Sequence, residues 1–170
     1  MALSDMQPEA PIIIPAETQA MAKVAVGDKA PLFRATLADG GSFDLAEAIG
    51  KRAVVLFFYP KDDTPLCTQE ACGFRDAYEE FVKAGVDVVG VSGDSPASHR
   101  AFAAKHRLPF PIISDEQGML RKLYGVPSLL GLLPGRVTYV IDRQGIVRLV
   151  YNSSFTAQGH VKQALEAAAK

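Results

Sequence analysis

Residues 53–59 (AVVLFFY) limit the possible folds of this chain more than any other segment. The run is apolar throughout, rich in β-branched and aromatic residues, and is followed at once by Pro60. Spanning a bilayer takes roughly 20 apolar residues, so a run this short is typical of a strand buried on both faces of a sheet. Residues 86–93 (VDVVGVSG) have the same character, and residues with helical periodicity separate the two runs. The sequence therefore predicts a β-α-β unit inside an α/β protein.

The segments on either side of this unit complete the predicted fold. Residues 39–41 (DGG) and 143–145 (RQG) each interrupt a strand-like segment, which predicts one hairpin near each end of the chain. Residues 94–96 (DSP) provide a capping residue and a proline that open a helix reaching about His106. This order fits a thioredoxin-like α/β fold, with a mixed central sheet, helices on both faces and an added N-terminal hairpin.

One boundary divides the chain, near Lys23. Residues 1–22 mix proline, glutamate, glutamine and alanine, which predicts a flexible tail. Residues 23–170 predict a single domain, since a chain of 170 residues is long enough to bury one full core.

Charge and cysteine content exclude several classes of partner and compartment. A formal net charge of -1 gives no electrostatic reason to expect nucleic acid or a membrane surface as a partner. The two cysteines are too few for a disulfide scaffold, and no basic residue precedes Lys23 as a secretory signal would require. We therefore expect a cytoplasmic protein, with organelle or thylakoid association left open if the chain is a trimmed form.

Both cysteines lie in residues 60–75 (PKDDTPLCTQEACGFR), directly after the buried run. If the helix begins near residue 65, Cys67 lies in its first turn, where unpaired N–H groups and the helix dipole stabilise negative charge. A thiol with a pKa of about 8.5 is almost entirely protonated at pH 7, whereas one with a pKa of about 6 is mostly ionised. The position suits a nucleophile, although many free cysteines are simply small buried apolar residues.

A metal site finds no support in the sequence. A structural zinc site needs four ligands in close pairs, and His99, His106 and His160 form no such pattern with the two cysteines. We interpret His99 and His106 as solvated helix residues and His160 as part of the first turn of the last helix. No metal and no cofactor is predicted.

The spacing of the cysteines also argues against a permanent disulfide. Five residues along a helix separate the Cα atoms of Cys67 and Cys72 by about 8–9 Å, which exceeds the limit of ~7 Å for a disulfide. The bond either never forms or forms only when the helix unwinds locally. Gly73 is a plausible weak point for such unwinding.

Three segments resemble one enzyme family. PKDDTPLC, with Pro60, Thr64 and Cys67, matches the PxxxTxxC motif of peroxiredoxins. The longer string TPLCTQEACGFRD resembles the peroxiredoxin Q branch, also called bacterioferritin comigratory protein. Residues 125–152 (GVPSLLGLLPGRVTYVIDRQGIVRLVYN) resemble the cyanobacterial and plastid forms of that branch. The resemblance extends from about Val26 to the C-terminus.

The resemblance implies a thiol peroxidase that reduces hydrogen peroxide and organic hydroperoxides. Cys67 would be the peroxidatic cysteine, and its sulfenic acid would condense with the resolving Cys72 to an intramolecular disulfide. A dithiol reductant, thioredoxin or a similar protein, would then restore both thiols. The branch is often monomeric, so a monomer is predicted.

The same resemblance implies four supporting residues. Thr64 would hydrogen-bond the thiolate and the peroxide, and Pro60 would shield the thiolate from water. Arg136 matches the catalytic arginine, and Glu70 matches an acidic position that holds this arginine in place. Together these groups would stabilise the negative charge that develops on the leaving oxygen.

Two features depart from the family pattern or add to it. Leu66 stands where the family often has glycine, and its apolar bulk predicts a shift toward organic hydroperoxides. The leucines of SLLGLLPG (Leu129, Leu130, Leu132 and Leu133) are interpreted as core or loop packing, or as an exposed patch that docks a reductant.

Two other functions remain open on the residues alone. A general disulfide oxidoreductase would want a CxxC pair, which is absent, and would leave Arg136 without a role. A redox-sensing module would use the Cys67–Cys72 bond as a signal, with incidental turnover.

Overall fold

The computed structural model describes residues 12–16, 18, 23–129 and 133–168, which form ten strands and six helices. In chain order these are β1 (Ile12–Ile13), β2 (Arg34–Thr36), β3 (Ser42–Asp44), α1 (Leu45–Ala48), β4 (Ala53–Phe58), α2 (Pro65–Asp76), α3 (Tyr78–Lys83), β5 (Val86–Ser92), α4 (Pro96–His106), β6 (Ile112–Ser114), α5 (Met119–Tyr124), β7 (Ser128–Leu129), β8 (Leu133–Pro134), β9 (Val137–Ile141), β10 (Val147–Asn152) and α6 (Gln158–Ala168).

A five-stranded mixed sheet in the order β10-β9-β4-β5-β6 forms the centre of the fold. Strand β4 pairs in parallel with β5 and antiparallel with β9, and β5 pairs in parallel with β6. The predicted C-terminal hairpin is β9–β10. Because β4 is central and buried on both faces, its continuous apolar sequence matches its position.

Side chains of β4 alternate between two apolar clusters, one on each face of the sheet. Leu56 and Phe58 contribute to the cluster that α1, α5 and the N-terminal strands cover. Val55 and Phe57 contribute to the cluster on the opposite face, which buries residues of α2, α3, α4 and α6. The predicted sheet with helices on both faces is confirmed.

The predicted N-terminal hairpin is β2–β3, and β1 extends it to a three-stranded sheet. Gly40 turns the chain between β2 and β3 with φ of 91°, a conformation that favours glycine. In β1, Ile12 pairs with Ala35 and is only 4% exposed. This part of the predicted tail is therefore a strand, because Ile12 buries its side chain in the first cluster. The assignment of residues 23–170 to a single domain stays a prediction.

The long helical segment after β4 is divided into α2 and α3 at Ala77, whose φ and ψ are -91° and 1°. In α2, Cys67, Ala71 and Phe74 follow one another at spacings of four and three residues, so they share the buried face. The sequence predicts the helical character of the segment but not this break.

Two further observations concern surfaces. Within the described ranges, no helix is long and apolar enough to cross a membrane. Of the SLLGLLPG leucines, Leu130 and Leu132 lie outside the described residues, and Leu129 and Leu133 belong to β7 and β8. Their predicted packing or docking role stays untested.

Candidate active site

The candidate site lies where β4 ends and α2 begins. Thr64 is the N-cap of α2 with extended backbone angles, and Pro65 follows at the first helical position. Cys67 is therefore in the first turn, as predicted, and is 1% exposed. In this position the helix dipole stabilises negative charge on its sulfur.

Arg136 reaches the same sulfur from a neighbouring strand. It directly precedes β9, whose first residue, Val137, pairs with Phe58 at the end of β4. The Nη2 of Arg136 donates to the Sγ of Cys67 at 3.3 Å, and its Nη1 donates to Glu70 Oε2 at 2.9 Å. Three residues singled out from the sequence, Cys67, Arg136 and Glu70, thus form one buried cluster. The arginine and the cysteine are 69 positions apart in the chain.

The Arg136–Glu70 pair is shielded from water. Burial raises the pKa of Glu70 to about 8, although the contact with Arg136 opposes this rise. For Arg136, burial acts to lower the pKa, but contact with Glu70 and Cys67 outweighs it and raises the pKa. The guanidinium therefore stays charged beside the sulfur. A carboxyl that tends toward neutrality holds it in place without fully cancelling its charge.

Thr64 and Pro60 border the site, but among the described residues neither forms a hydrogen bond with the Cys67 sulfur. The Thr64 hydroxyl donates to the carbonyl of Lys61 at 2.9 Å, inside the loop that precedes the helix. Pro60 is partly buried at the end of β4. The predicted hydrogen bond from Thr64 to the thiolate and the shielding role of Pro60 stay predictions.

Cys72 lies on the same helix as Cys67 but is partly exposed, and both thiols are free. Its neighbour Gly73 faces Val161 of α6 so closely that an added Cβ would lie 2.9 Å from a Val161 methyl carbon. Close helix packing thus gives Gly73 a role that the sequence does not reveal, beside its predicted effect on unwinding.

A buried polar network lies under the loop between β4 and α2. The carboxylate of Asp62 accepts hydrogen bonds from Tyr59 at 2.6 Å, Ser98 at 2.8 Å and His99 Nδ1 at 2.7 Å. His99 is 1% exposed, so its interpretation as a solvated residue is wrong. The imidazole is buried because Asp62, 37 positions away in the chain, gives it a buried hydrogen-bond partner.

Asp62, Asp94 and His99 are also the one group of possible metal ligands among the residues with described positions. Both carboxylates already accept hydrogen bonds, Asp62 from the three side chains above and Asp94 Oδ2 from the Asp62 N–H and from Ser92. We therefore describe the group as a hydrogen-bond network. The repeated acidic residues of KDDT and the DSPASH segment are the sequence signals that could have revealed it.

His160 is connected to the backbone of Arg136 through Ser153. It lies in the first turn of α6, as predicted, and is fully buried, and its Nε2 lies 2.7 Å from the carbonyl oxygen of Ser153. Its Nδ1 contacts the Thr138 hydroxyl at 2.8 Å. The Ser153 N–H donates in turn to the carbonyl of Arg136. Burial, together with the nearby charge of Arg136, lowers the pKa of His160 to about 4.

Known proteins are similar to this chain over most of its length. The AhpC/TSA family matches residues 26–150. A chloroplastic peroxiredoxin Q from Populus jackii is 51% identical over 146 residues, which cover 85% of this chain and 68% of the relative. A chloroplastic peroxiredoxin Q from Sedum lineare is 48% identical over 166 residues, which cover 97% of this chain and 87% of the relative.

Solved structures give the same result for the fold. Peroxidoxin BcpB from Mycobacterium tuberculosis superposes with a TM-score of 0.78 at 36% identity, covering 85% of this chain and 96% of that one. The Xanthomonas campestris bacterioferritin comigratory protein, solved in work on its alkyl peroxide reduction activity, has a TM-score of 0.73 at 31% identity, covering 92% and 94%. The thioredoxin-like fold class and the resemblance stated from the sequence are confirmed.

One sequence-based prediction fails against these relatives. The expected cytoplasmic location is contradicted, because the relatives that match most of the chain are named as chloroplastic and point to a plastid. The lack of basic residues before Lys23, on which that expectation rests, does not decide the compartment.

Proposed function

Since the chain belongs to the AhpC/TSA family and is a thiol-dependent peroxidase of the peroxiredoxin Q group, we propose that Cys67 is its peroxidatic cysteine. The observation that carries this assignment is the contact of Arg136 with the Cys67 sulfur at 3.3 Å, in the first turn of α2. The buried guanidinium and the N-terminus of α2 both present positive charge to this sulfur, an arrangement that suits a thiol acting as a nucleophile.

The first chemical step is attack of the Cys67 thiolate on the nearer oxygen of the peroxide. An S–O bond forms, the O–O bond breaks, and the farther oxygen leaves with the bonding electron pair and takes up a proton. The sulfur is oxidised to sulfenic acid, and the peroxide is reduced to water or to an alcohol. Arg136 stabilises the negative charge on the leaving oxygen, with the N–H groups at the start of α2 as further donors. The Thr64 hydroxyl joins them when it exchanges its bond to the Lys61 carbonyl for one to the peroxide.

The second step joins the two cysteines. The thiolate of Cys72 attacks the sulfur of the Cys67 sulfenic acid, an S–S bond forms, and hydroxide leaves and is protonated to water. Because both thiols lie on α2 five residues apart, this part of the helix unwinds before they meet. The bond is thus an intermediate of turnover.

Peroxiredoxins act on peroxides with thioredoxin-like reductants, and we propose thioredoxin as the dithiol that reduces the Cys67–Cys72 bond. Two electrons pass from the dithiol to the disulfide, which returns as two thiols while the reductant is oxidised to its own disulfide. We further propose that the enzyme acts as a monomer without nucleic acid or membrane as a partner.

Organic hydroperoxides are proposed as substrates beside hydrogen peroxide. The partly buried Leu66 adds apolar surface in the first turn of α2, next to Cys67. The alkyl peroxide reduction activity of the similar Xanthomonas campestris protein supports the same substrate class.

Peroxide consumption with thioredoxin, thioredoxin reductase and NADPH tests the assignment in the parent protein, Cys67→Ser and Cys72→Ser. We expect turnover in the parent protein, none in Cys67→Ser, and a single oxidation without turnover in Cys72→Ser. Comparable activity in the parent protein and Cys67→Ser would show that the nucleophile is misassigned. Clean disulfide formation without turnover would exclude thioredoxin as the reductant.

A further inference from the structure

The loop between β4 and α2 carries two of the proposed active-site residues, Pro60 and Thr64. In the described part of the chain, neither has a side-chain hydrogen bond to Cys67, and the Thr64 hydroxyl bonds to Lys61 within the loop. The loop also contains Asp63 with φ of 58°, in the left-handed region that non-glycine residues seldom adopt. A loop with such a residue keeps its conformation only if surrounding contacts hold it.

Asp62 provides those contacts from the middle of the loop. Its side chain is buried, and both carboxylate oxygens are used: Oδ1 accepts from Tyr59, and Oδ2 accepts from Ser98 and His99. Burial opposes ionisation of this carboxyl, but the hydrogen bonds from His99, Tyr59 and Ser98 outweigh it and lower its pKa. Asp62 is thus an anion with three side-chain donors.

The partners of Asp62 belong to rigid elements on either side. Tyr59 directly follows β4, whereas Ser98 and His99 lie in the first turn of α4. The backbone N–H of Asp62 also donates to Asp94, in the segment between β5 and α4. The middle of the loop is therefore fastened to the ends of two adjacent parallel strands and to a helix.

His99 orients this carboxylate through a defined atom. Since Asp62 is ionised, Nδ1 of the imidazole carries the hydrogen that it donates. The ring is packed near Tyr59 and is fully buried. Neither His99 nor Asp62 forms a hydrogen bond with the Cys67 sulfur. Any effect of these two residues on the peroxide reaction therefore passes through the loop.

We propose that Asp62 and His99 are positioning residues of the peroxide reaction, which hold the loop of residues 60–64 so that its groups face a peroxide bound at Cys67. The inference rests on the proposed role of Cys67 and adds a requirement to it. Loss of the network should impair reaction with peroxide, which needs aligned donors, more than reaction with an alkylating agent, which needs only an accessible thiolate.

Three variants in a Cys72→Ser background separate positioning from simple stability. His99→Leu removes the donor to Asp62, whereas His99→Asn keeps an N–H near the position of Nδ1. Arg100→Leu is the matched control: Arg100 is the exposed neighbour on α4 and bonds to the carbonyl of Ala38, away from the loop. Asp62→Asn tests the same network from the other side if His99→Leu does not fold.

Two second-order rate constants are measured on each reduced protein by quenched flow and mass spectrometry: oxidation of Cys67 by hydrogen peroxide and its alkylation by iodoacetamide. For His99→Leu and Asp62→Asn we expect peroxide oxidation to slow about tenfold or more while alkylation changes less than about twofold. His99→Asn and Arg100→Leu should retain peroxide rates within about threefold of the parent protein.

Equal peroxide rates in His99→Leu and the parent protein would overturn the inference, as would a parallel loss of both rates, which indicates collapse of the site. A His99→Asn variant as slow as His99→Leu would also overturn it, because the donated hydrogen bond would then not be the cause. Failure of the parent protein to react with peroxide would instead overturn the proposed function.

Discussion

At the scale of single residues, Arg136 combines charge with geometry. Its two terminal nitrogens contact Cys67 and Glu70 at the same time, which a lysine with one nitrogen reproduces poorly. We expect Arg136→Lys to lower the rate constant for Cys67 oxidation by about 10²-fold, as typical for loss of one preorganised donor. Arg148→Lys, on an exposed ion pair with Asp142, is the control. If Arg136→Lys reacts with peroxide within about threefold of the rate of the parent protein, a positive charge alone is enough at this position and the second contact is not needed.

The proposed role of Leu66 is to favour alkyl hydroperoxides over hydrogen peroxide as substrates. Replacing it with glycine removes apolar surface beside Cys67, a surface that favours an alkyl group by about 1–2 kcal/mol. The ratio of kcat/KM for an alkyl hydroperoxide to that for hydrogen peroxide should therefore fall several-fold. Glycine also weakens the helix by about 1 kcal/mol, so Leu66→Ala is measured in parallel. An unchanged ratio in both variants would remove Leu66 from the account of specificity.

At the scale of elements, the close approach of α6 to α2 at Gly73 allows a test of the proposed unwinding that joins the two cysteines. Gly73 weakens α2, but an added methyl group would collide with Val161. The double variant Gly73→Ala/Val161→Ala relieves that collision and keeps the higher helix propensity of alanine, worth about 1 kcal/mol. If disulfide formation requires unwinding at Gly73, the double variant should form the Cys67–Cys72 bond about fivefold more slowly than Val161→Ala alone.

Quenched mass spectrometry after one equivalent of peroxide measures this step. Equal rates of disulfide formation in the double variant and in Val161→Ala would show that the helix opens elsewhere. Thermal unfolding of both proteins checks that alanine at position 73 has stabilised the fold in the absence of Val161.

At the scale of the whole molecule, two buried groups change the free energy of unfolding with pH in opposite directions. His160 has a folded-state pKa of about 4, below the ordinary 6.5, so the unfolded chain binds more protons between these values. This group alone makes the protein less stable as pH falls from 6.5 to 4, by on the order of 3 kcal/mol. Glu70 has a folded-state pKa of about 8, above the ordinary 4.5, so it makes the protein less stable as pH rises from 4.5 to 8.

The two effects can be separated by urea unfolding at a series of pH values. Glu70→Gln should gain stability, relative to the parent protein, as pH rises from 4.5 to 8. His160→Gln should lose the acid-side decline between pH 6.5 and 4. Parallel pH curves for the parent protein and both variants would show that neither group titrates with a shifted pKa.

The sequence carries the local parts of the site because they depend on neighbours along the chain. The apolar run of β4, the cap at Thr64 and the proline at position 65 place Cys67 in the first turn of a helix without reference to any distant residue. The hairpins likewise follow from short turn sequences. These features are predictable because propensity, capping and alternation act over a few residues.

Contacts between distant residues are decided by the tertiary structure. The resemblance to the family singles out Arg136 and Glu70, but only the pairing of β9 with β4 brings the guanidinium to the Cys67 sulfur. His99 looks like a solvated helix residue until packing of α4 beside the active-site loop gives it Asp62 as a partner. In the same way, only the approach of α6 shows why position 73 has no room for a side chain. Chain sequence alone thus determined most of the elements and the place of Cys67 in the first turn of α2, whereas burial and long-range pairing, which depend on the whole fold, decided which groups surround its sulfur.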